Sequence, residues 1–204
     1  MIDHLVYGAR DLSEAVGALS ERLGVRALPG GRHPGRGTQN ALLSLGPGTY
    51  LEIIAPDPSQ PPPARLPFEL HALTEDRLIT WAARVADIER RAEGARAAGY
   101  DPGQVLSMSR ETPDGRQLRW RLAWRAELAG NGLVPFLIDW GGTPHPSLGA
   151  PDGCALIDLR GEHPRPETVR PLLRALEVRL PVSAGPRPAL IAAIRTPRGV
   201  VELR

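Results

Sequence analysis

Apolar residues recur at two different spacings near the start of the chain, and these spacings predict a strand followed by a helix. Residues 2–9 form a short apolar run of the kind found in buried strands. Apolar residues then fall three and four positions apart over residues 12–23, which is the spacing of one helix face. Asp11 stands at the N-cap position, Glu14 completes a capping box, and Gly24 follows the last turn.

The same order of elements is predicted three times, at a spacing of about 75 residues. Three strand-like segments complete the first unit, so that it follows the order βαβββ. A second unit, in which Asp87 can cap the helix, follows the Pro-rich linker at residues 56–67, and the first strand of a compact third unit starts at residue 155. We therefore predict three modules that pack together as one domain, with the boundaries 1–58, 59–146 and 147–204.

Proline and glycine positions refine the second and third units. Residues 113–115 predict a turn between two strands of the second unit. The sequence "TPRG" at residues 196–199 predicts a hairpin turn near the end of the chain. Pro171 lies inside the third helical segment, and we expect it to restrict the start of that helix to its own neighbourhood.

The repeat also predicts the fold class. A single βαβββ unit covers one face of its strands with a helix and leaves the other face open. Two such units placed edge to edge can curl into a half-barrel whose concave face forms a pocket. The predicted fold class is therefore α+β, with repeated βαβββ modules forming a cupped mixed sheet and with the helices on its outer face.

Composition excludes several classes of function. All 25 basic residues are Arg, which leaves no lysine for Schiff-base chemistry. They are scattered among 23 acidic residues with a net charge of +2, so we expect no nucleic-acid partner. A single cysteine, Cys154, excludes an internal disulfide and a thiolate metal cluster. No apolar run approaches the roughly 18 residues of a membrane span, and the first residues show no basic region followed by an apolar one, so we expect a cytoplasmic protein without a membrane partner.

Five stretches of sequence carry a resemblance to a known family. The most specific is "GGRHPGRGTQNALLSLGPGTYLEIIAPDP" at residues 30–58. It is supported by "DHLVYGARDL" at residues 3–12 and "TYLEIIAP" at residues 49–56, and by "LRWRLA" and "PFLIDWGGTPHP" further along. Together with the repeat, they resemble the glyoxalase-like domain proteins of the vicinal oxygen chelate superfamily. The resemblance covers nearly the whole chain and implies paired βαβββ modules around a cupped sheet.

The resemblance also implies a site. Enzymes of this superfamily typically bind a divalent metal through residues on the first and last strands of each module, whereas some members are metal-free and bind a small molecule. His4 matches the first-strand position and Glu52 the last-strand position. A His and a Glu together suit Zn²⁺, Mn²⁺, Fe²⁺, Co²⁺ or Ni²⁺. The expected cofactor is therefore one of these metals, and the alternative is none.

Strand alternation supports a joint role for the two residues. His4 shares a strand face with Ile2 and Val6, and Glu52 lies between apolar neighbours in "YLEIIA". A carboxylate in such a segment is costly to bury unless a cation or hydrogen-bond donors meet it. The alternative interpretation is a buried hydrogen bond between His4 and Glu52 that closes a core.

The second unit departs from the metal-binding pattern. Its equivalent positions are Thr80 and Phe136, and neither residue type is a usual metal ligand. If the first and third units pair, Glu202 in "VVELR" could complete the metal site; otherwise His33 or His145 could supply the third ligand. The alternative interpretation of Glu202 is a solvated carboxylate near the end of the chain.

Further candidates for substrate binding lie beside the Gly-rich loop and among the aromatic residues. The polar side chains at residues 38–40 either bind substrate oxygens or cap the loop backbone. Four of the nine aromatic residues are Trp, all in the second unit, where they either line a pocket or pack in the core. The candidates are His33, Thr38, Gln39, Asn40, Trp81, Trp120 and Phe136.

Three functions are compatible with these features. The first is a small-molecule enzyme of the glyoxalase-like type, a lyase or isomerase that acts on a carbonyl or enolisable substrate, with Glu52 and His4 as catalytic residues. The second is a metal-free protein that binds or sequesters a small molecule in the same cup. The third is a structural role in which the extra unit builds a homodimer.

Overall fold

The computed structural model describes residues 1–61, 63–112, 115 and 117–204. Over these residues the chain forms twelve strands and three α-helices in three successive βαβββ runs. The first run consists of β1 (Ile2–Gly8), α1 (Leu12–Leu23), β2 (Leu28–His33), β3 (Thr38–Ser44) and β4 (Tyr50–Pro56). The second consists of β5 (Arg77–Arg84), α2 (Ile88–Ala97), β6 (Gln104–Glu111), β7 (Gln117–Trp124) and β8 (Phe136–Asp139). The third consists of β9 (Ala155–His163), α3 (Pro166–Ala175), β10 (Val182–Ala184), β11 (Ala189–Thr196) and β12 (Gly199–Leu203).

The first and second runs form one sheet in the order β2-β3-β4-β1-β5-β8-β7-β6. In each half the first strand of the run pairs in parallel with its last strand, and the halves join through the antiparallel pair β1–β5. The sheet curls until its two edge strands meet, where the Arg110 guanidinium of β6 donates a hydrogen bond to the Gly30 carbonyl of β2. The predicted α+β fold with a cupped mixed sheet is confirmed.

Both helices of the large sheet begin where the sequence predicts. The Asp11 carboxylate accepts a hydrogen bond of 2.9 Å from the backbone N–H of Glu14, and the Asp87 carboxylate accepts one of 3.1 Å from the N–H of Arg90. Gly24 ends α1 with a positive φ of 72°, which a residue without a Cβ adopts readily. The two runs therefore start from equivalent local signals.

Side chains alternate between the two faces of the large sheet. On β1, Leu5 and Tyr7 face the convex side, where they join the main hydrophobic core with residues of all three helices. His4 and Val6 face the concave side. This alternation places one set of residues in the core and the next set in the cup.

The third run forms a separate four-stranded sheet, in the order β10-β9-β11-β12. Here the first strand, β9, pairs with β10 in parallel and with β11 antiparallel, so the strand order differs from that of the other two runs. Leu159, Ile194 and Leu203 of this sheet belong to the main core on the convex side. The interpretation in which the first and third units share a cup is therefore wrong.

Two local predictions for the third run have different outcomes. β11 and β12 form the predicted hairpin, with Thr196 paired to Gly199. The helix α3 begins at Pro166 and passes through Pro171, so the expectation that Pro171 restricts its start is wrong. A proline in the second turn removes one backbone hydrogen bond, which a helix packed through Val169 and Leu173 tolerates.

The remaining predictions concern the second run and membrane insertion. Residues 113 and 114 of the predicted turn lie outside the described residues. Among the described residues, no helix is long and apolar enough to cross a membrane.

Trp81 belongs to the core and not to the cup, contrary to its place among the substrate-binding candidates. It lies on β5 with 1% of its surface exposed, and its indole Nε1 donates a hydrogen bond of 3.0 Å to the Leu133 carbonyl. Alternation on β5 directs Trp81 to the convex face, whereas Ala82 faces the cup.

Replacing Trp81 tests this assignment. We expect Trp81→Ala to lower the free energy of unfolding by about 3–5 kcal/mol, because it leaves a cavity in the core. Trp120→Ala, on the concave face and partly exposed, should cost clearly less. Urea unfolding followed by circular dichroism measures both changes. Equal losses of stability would contradict the different placement of the two side chains.

Candidate functional site

The concave face of the large sheet surrounds a cavity of about 800 Å³, part of which is open to solvent. Strands from both halves contribute to its lining. Its polar members include His4, His33, Thr38, Asn40, Glu52 and Arg110. Aromatic side chains form much of the opposite wall: Phe68, Trp120, Trp124, Phe136 and Trp140.

A local irregularity in β1 brings two neighbouring side chains to one site. The register between β1 and β5 shifts between Ile2 and His4, as in a β-bulge. The Asp3 carboxylate lies 2.7 Å from His4 Nδ1 (Oδ1 to Nδ1), although adjacent strand residues normally point to opposite faces. Because an ionised carboxylate can only accept, His4 Nδ1 donates to it. The other ring nitrogen, Nε2, lies 3.6 Å from Glu52 Oε2.

Asp3 is fully buried and has three further partners. Its Oδ2 accepts hydrogen bonds of 3.0 Å from Trp140 Nε1 and from His145 Nε2, and Arg84 Nε lies 3.5 Å away. The backbone N–H of Ser147 donates to His145 Nδ1, so the proton of that imidazole is on Nε2. Burial raises the pKa of Asp3, but hydrogen bonds from His145 and then His4 outweigh it, and the net pKa lies well below the ordinary value.

Glu52 is held from the side opposite to His4. Asn40 Nδ2 donates a hydrogen bond of 2.5 Å to Glu52 Oε1, and Glu52 is 8% exposed. His33 lies next in this chain of contacts, with its Nδ1 2.9 Å from Thr38 Oγ1. Burial lowers the pKa of His33, which favours its neutral form beside Asn40. The carboxylate therefore has one oxygen fixed by an amide and one facing His4.

Aromatic rings fix the imidazole of His4 and cover the cup. The His4 ring stacks on Tyr50 with centroids 4.6 Å apart, and Phe136 approaches it edge-on at 5.5 Å. Trp120 and Trp140 lie with their ring centroids 5.3 Å apart on the second half of the sheet. Flat apolar rings of this kind suit a planar ligand.

The structure places most predicted site residues around this cavity. His4 and Glu52 face it together, and so do His33, Thr38, Asn40, Trp120 and Phe136. Their roles remain predictions.

Two further candidates lie elsewhere. Gln39 is on the opposite side of β3, where its Nε2 donates to the Pro56 carbonyl, because alternation turns it away from its neighbours Thr38 and Asn40. Glu202 lies on β12 in the separate sheet, where its carboxylate pairs with Arg160 at 2.5 Å and Arg204 at 2.9 Å. It is not a partner of His4.

The residues present do not fit a metal centre with three protein ligands. Val6 pairs with Glu52 in the first half of the sheet, and Ala82 pairs with Phe136 in the second half, so Phe136 is the counterpart of Glu52. Thr80 lies seven residues before the helix cap Asp87, just as His4 lies seven residues before the cap Asp11. Thr80 is therefore the counterpart of His4. Among the described residues, no group of three or more His, Cys, Asp or Glu side chains could hold a metal ion. Two ligands fall short of the three that catalytic metal sites commonly use.

Sequence reasoning missed Asp3 and Arg110. Alternation assigned Asp3 to the face opposite His4, and the bulge that overrides alternation has no signature in the sequence. Arg110 follows Leu106 and Met108 at two-residue spacing on β6, and this pattern indicates a shared face. His145 was considered as a metal ligand, but it contacts Asp3 instead.

One solved structure shares this architecture, and a family model matches most of the chain. The family model of the glyoxalase-like domain matches residues 2–177. A solved structure of a hypothetical protein from Staphylococcus aureus is 14% identical, with a TM-score of 0.63 over 98% of this chain and 83% of that chain. A variant of the Streptomyces coelicolor methylmalonyl-CoA epimerase, in complex with 2-nitronate-propionyl-CoA, is 18% identical over 70% of this chain and 96% of that chain, with a TM-score of 0.47. No curated protein matches this chain.

The lowered pKa of Asp3 leads to a prediction about how the stability of the fold depends on pH. Because its pKa is lower in the folded protein, its ionised form stabilises the fold above the unfolded pKa of about 3.9, and this contribution is lost as the pH falls further. We expect Asp3→Asn to lower the free energy of unfolding at pH 7 by about 3 kcal/mol, and the difference from the unsubstituted protein to shrink below about pH 4.

Urea unfolding at several pH values measures this difference. Asp158→Asn is the matched control, because it removes an exposed carboxylate whose ion pair with Arg160 contributes little. A variant Asp3→Asn that is as stable as the unsubstituted protein at pH 7 would show that the buried network does not depend on the charge.

Proposed function

The chain belongs to the family of glyoxalase-like domain proteins, and from this premise we propose that it is a small-molecule enzyme that moves a proton at a carbon next to a carbonyl group, as isomerases and some lyases do. The observation that carries the proposal is the line Asp3–His4–Glu52, which ends with a carboxylate in the wall of the cup. Two proton-transferring groups side by side in a cavity suit general acid–base chemistry.

Glu52 is the proposed general base. Its Oε1 is fixed by Asn40, and no donor among the described side chains lies at ordinary hydrogen-bond distance from its Oε2, with His4 Nε2 3.6 Å away. In the proposed step Glu52 Oε2 takes the proton from the carbon next to the carbonyl. The electron pair of that C–H bond forms the C=C bond of an enol, and no net oxidation takes place.

His4 is the proposed general acid. Its Nδ1–H donates to Asp3, which fixes the ring with Nε2 towards the cavity, and in the proposed step Nε2 carries a proton as well. Nε2–H gives its proton to the carbonyl oxygen as the enol forms. The enol returns that proton to Nε2 when Glu52 delivers its own proton to the same carbon, which regenerates the carbonyl group. Asp3 is thus a positioning residue that acts through His4.

A second candidate function is supported by the aromatic lining of the cup. Trp120, Trp140 and Phe136 offer flat surfaces on which a planar molecule can stack. A metal-free protein that only binds or sequesters such a molecule would need these surfaces and would not need Glu52 as a base. The two functions therefore predict different effects of a Glu52 substitution: the enzyme loses its activity, whereas the binding protein has no such activity to lose.

Hydrogen exchange at carbon tests the proposal. Phenylpyruvate and phenylacetaldehyde both carry an enolisable CH₂ group next to a carbonyl and an aromatic ring for the lining. In D₂O we expect the protein to accelerate deuterium incorporation at this carbon in at least one of them, and we expect Glu52→Gln to reduce the catalysed rate at least about 100-fold. Proton NMR measures the rate.

Neighbouring residues on β3 supply matched controls. Asn40→Ala should slow the exchange because it releases Glu52, whereas Gln39→Ala should leave it unchanged because that side chain faces away from the cup. Binding without any exchange would count against the enzyme and would favour the sequestering function. Exchange that persists at full rate in Glu52→Gln would show that Glu52 is not the base.

A further inference from the structure

Two arginines in the wall of the cup have no carboxylate partner among the described residues. Arg110 and Arg36 both line the cavity. Among the side chains that the structure describes, which do not include that of Glu111, no carboxylate oxygen lies within 4.0 Å of either guanidinium. Arg121 on the neighbouring strand β7, by contrast, pairs with Asp139. No ion pair with a described side chain therefore neutralises the charge of these two groups.

Arg110 is the more deeply placed of the two. It is 6% exposed, and its one described hydrogen bond goes from Nη1 to the Gly30 carbonyl across the two edges of the sheet. A guanidinium has five N–H donors in a planar fork, so this bond uses a small part of its capacity. A buried charge is costly unless its donors are met, so the donors that meet no described group favour an anionic ligand.

The absence of a side chain at Gly30 leaves space for the Arg110 guanidinium. A Cβ added at Gly30 would lie 3.0 Å from Arg110 Nη1 and 2.4 Å from Asn40 Oδ1. Any larger residue at this position would therefore force the arginine or the Asn40 amide to move. The space at Gly30 keeps the guanidinium in the cavity wall, on the same strand face as Met108.

Arg36 lies nearer to solvent and belongs to the turn between β2 and β3. Its guanidinium carbon is 5.9 Å from the centroid of the Trp124 ring, and its Nη2 is 3.6 Å from Met108 Sδ. An aromatic face and a thioether position the group but do not neutralise it. Glu52 is the single carboxylate among the described residues that line this cavity, so two permanent positive charges face one negative charge.

We propose that the ligand of this cup is a planar organic carboxylate. Its carboxylate is bound by Arg110 with Arg36 beside it, its flat apolar part lies against the tryptophans, and its enolisable carbon faces Glu52. Paired N–H donors of an arginine match the two oxygens of a carboxylate. The inference rests on the proposed function of the cup as a ligand site, and it adds the class of the ligand.

Phenylpyruvate and its neutral amide, phenylpyruvamide, form a matched pair for the test. Isothermal titration calorimetry with the intact chain should show that the carboxylate binds at least about 10-fold more tightly than the amide. Arg110→Met should weaken phenylpyruvate binding by about 10- to 100-fold and should change amide binding by less than about twofold. Arg110→Lys should restore part of the affinity for the carboxylate, because it restores the charge.

The amide separates a binding role of Arg110 from a purely structural one. If Arg110 only joins the edges of the sheet, Arg110→Met weakens both ligands alike. Arg119→Met is the charge control, because Arg119 is exposed and hydrogen-bonds to Gln117 outside this cavity. Equal affinities for the two ligands, equal losses in Arg110→Met, or no binding of phenylpyruvate would overturn the inference. Binding that shows the expected preference but no proton exchange would overturn the proposed function alone.

Discussion

The buried carboxylate of Asp3 is the group on which the arrangement of the candidate site depends. A fully buried charge must be met by donors, and here the donors come from β1 itself, from Trp140 after β8 and from His145 in the following loop. The same contacts that satisfy Asp3 also join the two halves of the large sheet. One of them fixes the orientation of His4, so the stability of the network and the geometry of the site have a common cause.

The curl of the sheet is the second constraint. Each half follows the same strand order, and the two halves meet at β1 and β5, so that both concave faces turn to one cavity. The contact between Arg110 and Gly30 joins the outer edges. The two halves nevertheless supply different chemistry. The first half contributes ionisable side chains around Glu52, and the second contributes an aromatic wall in which Phe136 occupies the position equivalent to Glu52.

The third βαβββ run shows that element order alone does not determine topology. Its strands form a separate sheet whose first strand lies in the interior, between β10 and β11, and this sheet covers the convex face of the large one. Glu202 consequently lies in a surface cluster with Arg160 and Arg204, outside the cup. Glu202 resembles Glu52 in local sequence, but tertiary packing buries Glu52 in the cup and leaves Glu202 exposed at the surface.

The sequence by itself determined the elements and the faces of the strands, because helical and alternating spacings are local properties of the chain. It thereby predicted the caps at Asp11 and Asp87, the cupped sheet, and a shared face for His4 and Glu52. Only the tertiary structure decided which units share a sheet, since strand pairing depends on residues far apart in the chain. It also decided that a bulge turns Asp3 towards His4, because a shift of register follows from contacts between two strands and not from the spacing within one.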